Sequence, residues 1–202
     1  GNIFMRDGLL LIIFPVLLYF ALKRPFIGLS LWLWSSLVPM QTYTFGPATS
    51  IRWNMVFALA TMVSYIFSAN KPKFTSSSVF WLYVLFFIWL TIACVTHNGL
   101  DVHIWDRYDR YVKASLFFLF ATLIIEKKHH IDGLIWACVL SIGTRAAEQG
   151  IATILSGGGH VTRGLSNSFN DNNLAALATL MCIPLMIYLF LEYKQYRFLK
   201  YG

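Results

Sequence analysis

Seven apolar runs dominate the chain and decide its fold class, with short segments rich in charge, glycine, proline or amide side chains between them. A segment that lies in lipid must satisfy its own backbone N–H and C=O groups, which a helix does by itself. We therefore predict an all-α fold, a polytopic transmembrane helix bundle of about seven spans. The runs are Leu9–Leu22, Phe26–Met40, Ile51–Ser68, Val79–Val95, Tyr111–Ile125, Ile131–Ile154 and Asn173–Tyr193.

The composition supports a membrane protein and argues against a nucleic-acid-binding one. Hydrophobic residues make up 57% of the 202 residues and charged residues 12%, whereas a soluble domain carries about 25% charged residues. The net charge is +7, but the basic residues lie mostly at the ends of the apolar runs. We interpret them as topology signals and lipid-headgroup contacts.

The distribution of basic residues predicts an orientation. If every run crosses the membrane, one side collects nine basic residues in short loops: Lys23, Arg24, Lys71, Lys73, Lys127, Lys128, Lys194, Arg197 and Lys200. The positive-inside rule places that side in the cytoplasm. The N-terminus and the Gly-rich loop after the sixth run then lie outside. We expect a multi-pass protein of the bacterial inner membrane whose active face is periplasmic.

The Gly-rich loop and the run after it, Ser156–Tyr193, carry the clearest chemical signal. Asp171 or Asn172 has the side chain of a helix N-cap, and His160 and Arg163 come shortly before it. Unpaired N–H groups at a helix start attract anions. The loop is therefore a predicted place to hold an anion.

Two further polar segments each allow two interpretations. The segment Thr96–Arg110 is amphipathic at helical spacing, typical either of a helix in the membrane interface or of a lid over a lipid headgroup with Arg107 and Arg110 pointing inward. Arg145 and Glu148 lie three residues apart within the sixth run, so they can pair on one helical face. In the second interpretation Arg145 lines a polar cavity.

Metal and nucleotide chemistry have no support in the sequence. Cys94, Cys138 and Cys182 all lie inside apolar runs, where free thiols pack as small hydrophobic groups. No spacing of Cys, His, Asp or Glu matches a metal-ligand set. The run Gly157–Gly159 lacks the Lys-Ser/Thr of a phosphate-binding loop and follows no strand. We expect no cofactor.

A set of motifs around the Gly-rich loop resembles the O-antigen ligase and polymerase superfamily. The residues that carry the resemblance are Arg163-Gly164, Asn167, Phe169, Asp171-Asn172-Asn173, Leu174-Ala175 and Ile183-Pro184-Leu185. The opening is similar to the subgroup of exosortase-associated probable O-glycosylation ligases, through Met5-Arg6-Asp7, Arg24-Pro25-Phe26-Ile27-Gly28, Trp32 and Trp34. Pilin glycosyltransferases are a related group.

The resemblance implies a membrane glycosyltransferase. Such an enzyme moves a glycan from a polyprenyl-diphosphate donor to a hydroxyl of a protein such as pilin, of a lipid or of a sugar. Guanidinium groups would neutralise the leaving diphosphate, and a histidine would act as general base. The expected catalytic residue is His160, and the expected diphosphate-binding residues are Arg163, Arg145, Arg107, Arg110, Asn172 and Asn173.

The length departs from the family pattern, because members of this superfamily are roughly twice as long. We therefore expect residues 5–202 to be the N-terminal portion of such an enzyme, with a C-terminal half as a missing partner that carries the principal base. Gly1–Phe4 are expected to be an addition in front of Met5. The alternatives are a non-catalytic module that binds membrane lipid and lipid-linked glycan, and a flippase for polyprenyl-linked glycans.

Overall fold

A computed structural model describes residues 2–38, 51–68, 77–96, 102–157 and 172–201, and within these ranges the chain is helical without any strand. Each of the seven predicted runs overlaps a helix, which confirms the all-α class for the described residues. The helices are α1 (Asn2–Lys23), α2 (Pro25–Leu37), α3 (Trp53–Phe67), α4 (Ser78–Thr96), α5 (Val102–Ile124), α6 (Lys128–Leu155) and α7 (Asn172–Tyr201).

Proline and glycine set two of the helix boundaries. Arg24 is extended between α1 and α2, because the residue before a proline is disfavoured in the α conformation. Pro25 then occupies the first turn of α2, where its missing N–H costs nothing. At the end of α6, Gly157 adopts a φ of 66° and donates its N–H to the Ile154 carbonyl at 3.1 Å. This left-handed glycine ends α6 and begins the Gly-rich loop.

The fifth helix differs from the prediction. We expected an amphipathic segment up to Arg110 and a separate span from Tyr111, but α5 continues without a break from Val102 to Ile124. No glycine or proline interrupts this stretch, so nothing forces the helix to end between its charged and apolar parts.

Two helical segments are long and apolar enough to cross a membrane: Ser78–Thr96 and Asn173–Tyr193. In the described part of the chain no other segment meets both conditions. The α2 helix has 13 residues, about 20 Å at 1.5 Å per residue, against a hydrocarbon core of about 30 Å. The α5 and α6 helices are longer but carry several charged residues.

The helices fall into two groups: α1, α2, α3, α6 and α7 form the first group, and α4 and α5 form the second. In the first group α2 packs closely on α3. A β-carbon built on Gly28 would lie 2.6 Å from the Thr61 hydroxyl oxygen, so the glycine permits the approach of the two helices. Ser36, near the end of α2, donates a hydrogen bond to Asn54, near the start of α3, at 3.0 Å. The two helices are therefore antiparallel.

The α6 helix packs against both α2 and α7. The Phe26 ring at the start of α2 stacks on the His130 ring at the start of α6, with 4.3 Å between centroids, so these helices run parallel. Tyr188, late in α7, donates a hydrogen bond to Asp132, early in α6, at 2.9 Å. The α6 and α7 helices are therefore antiparallel.

The second group is an antiparallel pair. Tyr83, early in α4, donates a hydrogen bond to Ser115 at 2.8 Å, and its ring lies 4.3 Å from that of Phe118. Thr91, late in α4, is hydrogen-bonded to the Tyr108 hydroxyl at 2.9 Å. Aromatic and hydroxyl side chains thus join α4 to the continuous α5.

Candidate functional site

The pairing of α6 with α7 fixes which residues of the two helices lie at the same level. Lys128 contacts Glu192, and four residues along α6 Asp132 contacts Tyr188, four residues back on α7. Six residues further, Cys138 lies near Cys182, which is six residues back again on α7. The two helices therefore keep a constant antiparallel register over this length.

This register brings three predicted site residues to the same level of the helix pair. Continued by seven residues, it places Arg145 level with Ala175, which is buried. A further three residues place Glu148 level with the backbone of Asn172, the first residue of α7. Arg145, Asn172 and Asn173 therefore lie at nearly the same level, at the start of α7, and α6 continues for ten residues beyond Arg145.

The Arg145 guanidinium is mostly buried and paired. Its Nη1 donates to a carboxylate oxygen of Glu148 at 3.3 Å, which confirms the predicted pairing on one helical face. The Arg145 side chain is 21% exposed, whereas that of Glu148 is 66% exposed. The carboxylate thus offsets a cation that the helix holds away from solvent, where an unpaired charge is costly.

A polar loop connects α6 to α7, and α6 continues for seven residues beyond Glu148 before it ends at Leu155. The loop leaves α6 at Gly157 and returns to α7 at Asn172. His160 and Arg163, our first choices for base and diphosphate ligand, lie outside the described residues, as does Asp171. Asn172 is the first helical residue of α7.

Arg107 and Arg110 belong to the second helix group. Both side chains are exposed near the start of α5, and the Arg110 Nε donates to the Asp106 carbonyl on its own helix at 3.3 Å. Their role in binding a diphosphate stays a prediction.

The second group also holds an apolar cavity of about 190 Å³ between the first half of α4 and the part of α5 that follows these arginines. Its lining includes Phe80, Tyr83, Phe87, Ser115 and Phe118. A cavity of this character suits a hydrocarbon group better than a phosphate.

Sequence reasoning missed the polar contacts at the opposite end of α6 and α7. The ion pair of Lys128 with Glu192 has an N–O distance of 2.5 Å, and the hydrogen bond from Tyr188 to Asp132 lies one turn away. Each pair joins side chains far apart in sequence, so no local spacing indicated them. Among the described residues no three of His, Cys, Asp and Glu are grouped so as to hold a metal ion.

Comparison with known proteins adds a family to this geometry. Residues 5–194 match DUF5935, a family of unknown function. The chain belongs to this family. The DUF5935 match includes both helix groups and the loop between α6 and α7. Neither a curated protein nor a solved structure matches the chain.

Proposed function

We propose that this DUF5935 chain is the donor-binding portion of a membrane glycosyltransferase similar to O-antigen ligases. It would hold a polyprenyl-diphosphate-linked glycan at the outer face of the bacterial inner membrane, for transfer to a hydroxyl acceptor such as that of a pilin. The observation that carries the proposal is the position of Arg145, which α6 holds level with the first turn of α7, the helix that follows Arg163 in the sequence.

The helix directions in the first group support a chain that crosses the membrane at each helix. If each helix crosses the membrane, helices that are consecutive in chain order run antiparallel. Helices that are two or four apart in chain order run parallel. The α2 and α6 helices are parallel, and α6 and α7 are antiparallel, as are α2 and α3. Some helices are too short or too charged to span the membrane alone. Neighbouring helices and interfacial side chains would shield them from the lipid.

The charge at the outer end of α6 and α7 supports an anionic ligand. Arginine binds phosphate oxygens through a planar fork of N–H donors, and the start of α7 adds backbone N–H groups. Glu148 would pair with Arg145 in the empty state, and the diphosphate would compete for the same guanidinium. The lipid tail of the donor would lie against the exposed apolar faces of the helices.

Donor binding by arginine variants tests the proposal. We expect Arg163→Ala and Arg145→Ala each to weaken binding of a polyprenyl diphosphate to the purified protein about 10- to 100-fold, because a hydrogen bond to a charged group contributes about 1.5–3 kcal/mol. The control is Arg52→Ala, an exposed arginine that is predicted to lie on the same side of the membrane. Unchanged affinity in both variants would contradict the proposal.

A comparison of diphosphate with monophosphate donors separates this function from a general lipid-binding module. A diphosphate clamp predicts that the two arginine variants lose the preference for the diphosphate. A module that recognises only the lipid chain would bind both ligands equally and would not respond to either substitution.

A further inference from the structure

Basic side chains gather at the end of the first helix group where α1 ends and α2 and α6 begin. Lys23, Arg24 and Lys127 are exposed there. The stacked rings of Phe26 and His130 hold the start of α2 against the start of α6. Three charges, two of them consecutive and the third about a hundred residues away in the sequence, therefore lie at one end, which we call the basic end.

The acidic side chains of this region are already engaged. Glu192 pairs with Lys128 at 2.5 Å, and Asp132 accepts the hydrogen bond of Tyr188. The first turns of α2 and α6 contain no acidic residue. In the described ranges, Lys23, Arg24 and Lys127 make no ion pair. Glu126, directly before Lys127, adds one negative charge, so three basic residues stand against one further acidic residue and the basic end keeps an excess of positive charge.

An apolar surface borders the basic end. Tyr19, Phe20 and Leu22 of α1 are 45–59% exposed, and Ile131 in the first turns of α6 is 48% exposed. Basic groups directly beside exposed apolar and aromatic side chains match the boundary between lipid headgroups and hydrocarbon. A soluble anionic partner would bind through the basic groups and would gain no affinity from the apolar side chains beside them.

We propose that the basic end, formed by Lys23, Arg24 and Lys127, binds the phosphate of anionic phospholipid headgroups. The inference depends on membrane insertion but not on glycan transfer. It assigns a lipid-binding role to the end of the first helix group where α6 begins, away from the start of α7. The attraction of an anionic lipid surface is about 1 kcal/mol for each basic residue, so each charge contributes about fivefold in affinity.

Lipid binding to the purified full chain tests this inference. The protein in neutral detergent is titrated with phosphatidylglycerol and, separately, with phosphatidylcholine, and bound lipid is counted by native mass spectrometry. We expect a preference for phosphatidylglycerol that falls about fivefold for each charge removed by Lys23→Gln, Arg24→Gln and Lys127→Gln. The control, Lys113→Gln, removes an exposed lysine of α5 that is paired with Asp109, and should leave the preference unchanged.

Three comparisons make the test decisive. Lys23→Arg and Lys127→Arg keep the charge and should keep the preference for phosphatidylglycerol. If the variant with all three Gln substitutions does not fold, the three single Gln variants replace it in the test. Inorganic phosphate at millimolar concentration should not displace the lipid, because the apolar border adds nothing to its binding. An equal affinity for the two lipids, a preference that survives all three Gln substitutions, or displacement by inorganic phosphate would overturn the inference. No glycan donor is present, so failure here leaves the proposed function standing.

Discussion

Replacing Gly28 by alanine is expected to destabilise the first helix group, because α2 and α3 leave no room for a methyl group there. A β-carbon at this position would lie 2.6 Å from the Thr61 Oγ1 and 3.3 Å from both the Thr61 Cα and the Ala21 carbonyl oxygen. Thr61 has no exposed surface, and its hydroxyl donates to the Phe57 carbonyl at 2.7 Å. The hydroxyl can therefore move away only by giving up a buried hydrogen bond.

The expected cost follows from three terms. Forcing an extra carbon into a packed contact costs about 1–3 kcal/mol, and loss of the Thr61 hydrogen bond adds about 1 kcal/mol. Alanine is favoured over glycine inside a helix by about 1 kcal/mol, which offsets the loss of the Thr61 hydrogen bond. The net loss in the free energy of unfolding is about 1–3 kcal/mol.

Unfolding in mixed micelles at increasing fractions of sodium dodecyl sulfate, followed by circular dichroism, measures this loss. The matched control is Gly143→Ala on α6, where a β-carbon meets no atom within 4 Å, so that it should be neutral or stabilising by up to about 1 kcal/mol. Thr61→Ala combined with Gly28→Ala should recover part of the loss as a favourable coupling energy. Equal stability of Gly28→Ala and Gly143→Ala would refute the close approach of α2 and α3.

Three further predictions concern a contact between α6 and α7, the end of α6, and the orientation of the chain in the membrane. Tyr188→Phe removes the hydrogen bond to Asp132 and should lower the free energy of unfolding by about 1–2 kcal/mol in the same assay; no change would mean that water replaces the phenol. Gly157→Ala places a β-carbon in the left-handed region and should cost about 1–2 kcal/mol, so a stabilised variant would contradict this helix end. A membrane-impermeant thiol label should reach a cysteine placed at Ser166 in intact spheroplasts and one placed at Thr75 only after permeabilisation. The reverse pattern would invert the proposed orientation.

The positions of the helices could be predicted because hydrophobicity in this chain changes sharply at charged and turn residues. The predicted break between the first two runs and the predicted start of the seventh run at Asn173 both agree with the structure to within about one residue. Hydropathy failed in α5 only on continuity, because it began the fifth run at Tyr111, whereas one helix runs from Val102 to Ile124 and includes the charged residues before Tyr111. A hydropathy pattern detects lipid-compatible residues, whereas a helix is defined by its backbone hydrogen bonds and continues until something interrupts them.

The candidate site could be predicted only as far as local spacing reaches. The pair of Arg145 with Glu148 was predictable, because residues three apart lie on one face of a helix. The hydrogen bond between Tyr188 and Asp132 joins residues 56 positions apart, and only the packing of α6 on α7 brings them together. The level of Arg145 relative to the start of α7 depends on that same packing. The sequence alone therefore predicted which residues belong to the site but not which of them lie close together.

Glycan transfer tests the central claim most directly. The 202-residue chain and a chain extended to the full length of O-antigen-ligase-like enzymes would each be reconstituted in lipid with a polyprenyl-diphosphate-linked glycan and a pilin acceptor. The account predicts that the extended protein transfers the glycan, that Arg163→Ala abolishes transfer while the protein still inserts, and that Arg52→Ala does not. Transfer that is unaffected by Arg163→Ala, or no transfer by the extended protein, would contradict it.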